Sequence, residues 1–171
     1  MKTSAQTQPE TRKILVAYFS WGGNTREIAG QIHQKTGGGL FEIKTVSPYP
    51  KEYRPTVEAA KKEQEAGARP KLAEQVGGMD SYDVIFLGYP NWWGTLPMPV
   101  FTFLESYNFS GKTIIPFCTH EGSALGRSVS DIKKLCPQAT VRDGLAIRGG
   151  KVKRAQDDVT AWLRKNGITS K

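Results

Sequence analysis

The chain contains little cysteine and no long apolar segment. Cys118 and Cys136 are its two cysteines. They are too few for a secreted disulfide framework, and their spacing is not that of a zinc site. The apolar runs fall well short of the roughly 20 residues that a membrane-spanning helix needs. We therefore expect a reduced, soluble, cytoplasmic protein with neither a membrane span nor a bound metal.

The N-terminus also lacks the apolar core of a secretory signal. Residues 1–12 are polar and contain one serine, three threonines and two glutamines, a composition that does not favour export. We predict a disordered tail over these residues and one domain over residues 13–171. That length is sufficient for a core of ordinary size without disulfide or metal support.

Acidic residues are scarce relative to basic ones. The chain has 16 acidic and 24 basic residues, which gives a net charge of +8. Residues 148–171 hold seven of the basic residues against Asp157 and Asp158. Sites for single-stranded nucleic acid interleave cations with stacking aromatic side chains, and this segment contains Trp162 alone. We predict a solvated helix face here and no nucleic-acid partner.

Apolar runs alternate with helical patterns along the rest of the chain. Strands are predicted at residues 13–19, 40–46, 83–89, 113–118 and 141–147. Helices are predicted at residues 25–36, 52–67, 100–107, 126–135 and 152–165. Pro116 interrupts the fourth strand, because proline cannot donate to a strand ladder. Strands that alternate with helices predict a parallel sheet with helices on both faces.

Glycines, short polar side chains and aromatic residues collect in three loops that follow predicted strands. These loops cover residues 20–25, 89–95 and 119–126. In an open α/β sheet, ligands bind outside the carboxyl ends of the strands, where the strand order reverses. The three loops are therefore the predicted functional site.

The first loop leads from a buried strand into a helix, and its sequence is Ser20, Trp21, Gly22, Gly23, Asn24 and Thr25. Backbone N–H groups and the helix dipole converge at such a point and suit a phosphate group. The loop has no lysine, whereas loops that bind nucleoside triphosphates use one for the outer phosphates. A monophosphate fits best. The open alternative is a glycine-rich turn that Asn24 and Thr25 merely cap.

The second loop contains Pro90, Asn91, Trp92, Trp93 and Gly94. Two tryptophans near the surface, directly after a strand, suggest a flat aromatic ligand. The alternative is that they pack beneath the following helix, which we expect for one of the two.

The third loop contains Thr119, His120, Glu121 and Gly122, followed by Ser123. Its imidazole can give a hydrogen bond or a proton to a reduced ligand. His120 and Glu121 are therefore the candidate catalytic residues. An ordinary loop histidine remains the alternative for His120.

The loop SWGGNT resembles the phosphate loop of the flavodoxin family, Ser/Thr-x-Thr-Gly-Asn-Thr, with Gly22 where the family often has a hydroxyl. The strand order, the aromatic second loop and the segment CTHEGS extend this resemblance over residues 13 to about 164. It implies an α/β, flavodoxin-like three-layer sandwich with a five-stranded parallel sheet in the order 2-1-3-4-5. It also implies FMN as the cofactor, with the phosphate on residues 20–25. The isoalloxazine would lie between residues 90–94 and residues 119–122.

Two features depart from the family pattern. Electron-carrier flavodoxins are usually acidic, whereas this chain is basic. Many of them also cover the outer face of the flavin with a tyrosine of the third loop, and CTHEGS contains no aromatic residue. An open face would admit a second substrate, which favours a reductase of flavins or quinones that uses NAD(P)H.

Three hypotheses follow. The first is an FMN-dependent oxidoreductase, linked to NAD(P)H or to a quinone. The second is a one-electron carrier that has a redox partner protein and no substrate of its own. The third is a non-redox binding module that has kept the fold. A triphosphate site is not supported, since residues 110–113, which read SGKT, precede a strand.

Overall fold

A parallel sheet is the centre of the structure, a computed structural model that describes residues 12–168. Its strands are β1 (Ile14–Tyr18), β2 (Gly39–Glu42), β3 (Val84–Pro90), β4 (Thr113–His120), β5 (Thr140–Val141) and β6 (Leu145–Arg148). All neighbouring strands pair in parallel, in the order β2-β1-β3-β4-β5, and β6 also pairs with β4. The predicted fold class and strand order are confirmed. The predicted tail lies almost entirely outside the described residues.

Within residues 12–168, five α-helices connect or follow the strands. They are α1 (Asn24–Thr36), α2 (Tyr53–Ala66), α3 (Met98–Glu105), α4 (Ser128–Leu135) and α5 (Gln156–Lys165). Among the described residues, no helix is both long and apolar enough to cross a membrane.

The core has two halves because alternate residues of a strand face opposite sides of the sheet. Leu15 and Ala17 of β1 belong to a buried cluster that includes side chains of α3 and α4. Val16 and Tyr18 belong to a second cluster that includes side chains of α1 and α5. Strands that are apolar on both faces require this arrangement, so helices cover both sides as predicted.

The predicted fifth strand is divided into β5 and β6, and this division accommodates Pro116. β5 pairs with Thr113 and Ile114, and β6 pairs from Phe117 onward. Alternate residues of a strand direct their backbone N–H and C=O groups toward the same neighbouring strand. Pro116 therefore faces the same neighbour as Ile114, whose carbonyl accepts a hydrogen bond from Arg142 N–H. The N–H that proline lacks would therefore point into the gap between the two short strands, where no ladder partner is needed.

Other element boundaries shift by a few residues. β2 ends at Glu42 because its pairing with β1 ends there, and Thr45 instead forms an isolated bridge with Leu72. The predicted last helix is split into a 3-10 helix, Gly149–Arg154, and α5. The predicted helix over residues 126–135 begins at Ser128.

The close packing of β3 against β4 gives a testable stability prediction. A Cβ at Gly88 would overlap the ring of Phe117, its partner across the β3–β4 ladder. Phe117 is buried and cannot move aside freely. We expect Gly88→Ala to lower the free energy of unfolding by about 1–3 kcal/mol, the usual cost of overpacking a core. Urea denaturation of the purified protein measures it.

Gly30→Ala is the matched control. Gly30 lies within α1, and nothing is within 4 Å of a Cβ built there. Because glycine is unfavourable inside a helix, this change should stabilise the protein by about 0.5–1 kcal/mol. Equal effects of the two substitutions would contradict the packing argument.

Candidate functional site

A cleft of about 410 Å³ lies at the carboxyl ends of β1, β3 and β4. Such a volume is within the range of roughly 300–1,000 Å³ that is usual for cofactor sites. The three predicted loops line it with Ser20, Trp21, Gly22, Asn24, Thr25, Pro90, Asn91, Trp92, Trp93, Thr119, His120, Glu121 and Ser123. Of the predicted site residues, Gly23, Gly94 and Gly122 do not line the cleft. All three have positive φ angles and shape the loops instead.

The first loop presents unpaired backbone donors. Gly22 and Gly23 have φ angles of 125° and 102°, which turn the chain sharply before α1 begins at Asn24. Among the hydrogen bonds of residues 12–168, the N–H groups of residues 21–25 have no acceptor. α1 has no side-chain cap bond at its N-cap residue, and Ser20 Oγ accepts the N–H of Arg26 at 3.2 Å. The loop therefore retains several donors for an anion.

One buried contact joins the first loop to the third. The hydroxyl oxygens of Thr25 and Thr119 are 2.8 Å apart, and both side chains are buried. Thr25 therefore does not cap α1, as the alternative interpretation of the loop required. The bond fixes the start of α1 against the end of β4.

The second and third loops are also bonded to each other. Asn91 Nδ2 donates to the Ala124 carbonyl at 2.8 Å, and Asn91 Oδ1 accepts the N–H of Gly94. Asn91 N–H donates to the Thr119 carbonyl at 2.9 Å, and Arg127 N–H donates to the Gly94 carbonyl. The side chain of Asn91 therefore organises the two loops, a role that its sequence position did not reveal.

The two tryptophans of the second loop have different environments. Trp92 is partly buried and packs edge-to-face against Phe19 and Tyr49, with ring centroids 5.3 and 5.2 Å away. Trp93 is 45% exposed and has a φ of 55°, which is unusual for a bulky residue. One of the two packs inward, as expected, although against Phe19 and Tyr49 and not under the following helix. Both line the cleft.

Helix α2 forms a wall of the cleft that the loop pattern of the sequence does not predict. Its lining residues are Tyr53, Thr56, Val57 and Ala60. Their spacing of three, four and seven residues puts them on one helix face. This spacing was the available signal, but the many charged residues of the helix obscure it. Tyr53 is 73% exposed and lies near Trp21, and so it adds an aromatic ring to the mouth of the cleft.

Two indole N–H groups hold α2 in place. Trp21 Nε1 donates to the carbonyl of Pro50 at 2.8 Å, just before the helix. Trp93 Nε1 donates to the carbonyl of Val57 at 3.0 Å, and Lys61 Nζ lies 5.3 Å from the centre of the Trp93 ring. Because α2 buries only Thr56 and Ala60, these bonds are a large part of its attachment.

His120 is held as a hydrogen-bond donor. Its Nδ1 accepts the N–H of Gly122 at 2.9 Å. Nδ1 therefore carries no proton in this arrangement, and the neutral ring has its proton on Nε2. Burial and the positive charge of Arg148 lower the pKa of His120 below its ordinary value, against the opposing charge of Glu121. These effects favour the neutral ring near pH 7.

Other chemistries have little support at the cleft. Cys118 directly precedes the third loop, but burial raises the pKa of its thiol to about 12, which disfavours a reactive thiolate. Among residues 12–168, no group of three or more His, Cys, Asp or Glu side chains is arranged to hold a metal ion.

Comparisons with known proteins identify the family. The flavodoxin family model matches residues 13–166. No curated protein matches the chain. Among solved structures, a candidate flavoprotein from Bacteroides eggerthii is 31% identical to the chain and has a TM-score of 0.78. The alignment covers 92% of this chain and 99% of that protein.

More distant structures share the fold. A flavoprotein from Lactobacillus acidophilus in complex with FMN is 24% identical, with a TM-score of 0.70 over 84% of this chain and 97% of that one. A candidate quinone reductase from Klebsiella pneumoniae is 13% identical, with a TM-score of 0.55 over 92% and 86% of the two chains. Since the family model matches nearly all of the described residues, the chain belongs to the flavodoxin family.

Proposed function

We propose that this protein binds FMN in the cleft and is an FMN-dependent oxidoreductase. The observation that carries the proposal is the set of unpaired N–H groups of residues 21–25 beside an aromatic-lined cleft. FMN consists of a terminal phosphate and a flat ring system, and each has a matching part of the site. Membership of the family and the FMN complex of the Lactobacillus flavoprotein support the same cofactor.

The first loop would hold the phosphate. Its N–H groups would donate to the phosphate oxygens, and the positive end of the α1 dipole would attract the charge. Ser20 Oγ and the amide of Asn24 line the same part of the cleft and would add donors. Thr25 would act indirectly, because its hydroxyl is bonded to Thr119.

The second and third loops would hold the ring. Pro90, Trp92 and Trp93 would border one side, and residues 119–121 the other. Thr56 and Val57 of α2 would close part of the remaining side and exclude water. When bound, FMN supplies the electron or hydride transfer itself. His120 would donate a hydrogen bond or a proton through Nε2, and Glu121 is the second candidate for moving a proton.

The cleft favours a reductase over a simple carrier. Tyr53 and Trp93 are strongly exposed at its edge and leave aromatic surface for a planar second substrate. The nicotinamide of NAD(P)H and a quinone are the candidates, and the structural similarity to a candidate quinone reductase agrees with them. Two buried, unpaired cysteines in the described residues support our proposal of a cytoplasmic location.

Retention of FMN tests the cofactor. We expect the purified protein to show a flavin absorption spectrum after FMN is added and the excess is removed. The double variant Ser20→Ala, Thr25→Ala should bind FMN roughly a hundredfold more weakly. It loses one donor to a charged group, worth about 1.5–3 kcal/mol, together with the bond that fixes the loop.

The matched control for this test removes two hydroxyls elsewhere. Ser130 on α4 and Thr160 on α5 do not line the cleft. The double variant Ser130→Ala, Thr160→Ala should retain the wild-type affinity. If the wild-type protein retains no flavin, the proposal of FMN as the cofactor is wrong, and the non-redox binding module is the remaining hypothesis.

Anaerobic reduction distinguishes an enzyme from a carrier. For an enzyme, we expect one equivalent of NADH or NADPH to remove the visible absorbance of the bound flavin within seconds. If dithionite reduces the flavin but neither nicotinamide does, and reduction proceeds in separate one-electron steps, the carrier hypothesis is favoured instead.

A further inference from the structure

Arg148 lies beside the third loop, although no sequence pattern marked it as a site residue. It is the last residue of β6 and is the ladder partner of His120 on β4. Its Nη1 donates to the carbonyl of Glu121 at 3.0 Å. The same nitrogen is 3.7 Å from the position of a Cβ on Gly122. The guanidinium therefore contacts the loop that we propose as one border of the flavin ring.

The positive charge of Arg148 has no counter-ion in the described part of the chain. Its hydrogen bond is to a backbone carbonyl, and none of the ion pairs within residues 12–168 includes it. Two other cations, Arg127 and Lys61, lie near the cleft and each has a partner of its own. Arg127 is paired with Asp131 at 3.4 Å, and Lys61 is positioned over the ring of Trp93. No lysine or arginine is among the lining residues themselves.

Arg148 and His120 together fix the backbone of the third loop. Arg148 holds the Glu121 carbonyl, and His120 Nδ1 holds the next N–H, that of Gly122. Gly122 has a φ of 142°, a conformation that other residues rarely adopt. The direction of the His120 Nε2–H therefore depends on the turn at residues 120–122, which Arg148 stabilises from the neighbouring strand β6.

We propose that Arg148 tunes the cleft for reduced flavin, through its charge and through the two groups that it positions, the Glu121 carbonyl and the His120 ring. This inference rests on the proposed function. The oxidised flavin ring is neutral, whereas the two-electron-reduced ring can carry a negative charge near pH 7. A nearby cation stabilises the charged form selectively, and charge close to the ring is an established way of setting flavin potentials.

The groups that act on His120 are few. Arg148 faces it from β6, and Glu121 follows it in the same loop with the opposite charge. Burial and Arg148 together hold the pKa of His120 below its ordinary value. Removal of the Arg148 charge should therefore raise that pKa and increase the fraction of imidazolium near pH 6.

The test compares the affinities of oxidised and reduced FMN, obtained from the midpoint potentials of free and bound flavin. The informative quantity is the ratio of the affinities for reduced and oxidised FMN, because attraction between Arg148 and the phosphate affects both affinities equally. We expect Arg148→Gln to reduce the preference for reduced FMN about fivefold. For a two-electron couple this lowers the midpoint potential by about 20 mV. Glu121→Gln removes an opposing charge and should shift the potential upward.

Two further variants separate charge from structure. Lys151→Gln makes the same change of charge in the neighbouring 3-10 helix, at an exposed residue that does not line the cleft. This variant should alter the ratio of the affinities for reduced and oxidised FMN less than twofold. Arg148→Lys keeps the charge and should retain most of the wild-type preference.

A flavin-independent measurement accompanies the potentials. The NMR titration of His120 in the flavin-free protein should give a higher pKa in Arg148→Gln than in the wild type or in Lys151→Gln. Bound FMN with the same potential in Arg148→Gln and Lys151→Gln would overturn the inference and leave the proposed function intact. An unchanged His120 titration would also overturn it. If the wild-type protein binds no FMN, both the inference on Arg148 and the proposed function are wrong.

Discussion

The parallel pairing of β1, β3 and β4 is the constraint on which the rest of the structure depends. Parallel strands end at the same edge of the sheet, so the loops that follow them converge even though their residues are far apart in sequence. The ladder continues to the last residues, where Pro90 pairs with Thr119. The bond between Thr25 and Thr119 then joins the start of α1 to the same edge. Ladder bonds, and not the loops, therefore set the position of the cleft.

The loops of the cleft differ in how they use their polar groups. Asn91 uses its side chain to bond the second loop to the third, and Thr25 and Thr119 bond each other. These groups are satisfied within the protein. The first loop instead leaves its N–H groups unpaired at a helix start. Satisfied groups give the cleft a fixed shape, and unsatisfied N–H groups at a helix start are the donors that an anion would accept. A site of this kind needs both.

The tryptophans connect the cleft to α2. Trp21 and Trp93 both lie in cleft loops, and each donates its indole N–H to the backbone at or near α2. The helix contributes no residue to either of the two core clusters. Its position therefore depends in part on these bonds from the cleft loops, together with the bond that the Tyr49 hydroxyl donates to Glu63.

The sequence by itself determined the approximate positions of the strands and helices and the three loops that line the cleft. It could do so because apolar periodicity and glycine placement are local properties. Tertiary structure alone decided the rest. Arg148 reaches the site because β6 pairs with β4, α2 reaches it through tryptophans of other loops, and Asn91 bonds a carbonyl 33 residues away. Pro116 is tolerated because the neighbouring strand is divided. Each of these depends on a contact between distant segments, and the local pattern of a single segment does not encode its partner.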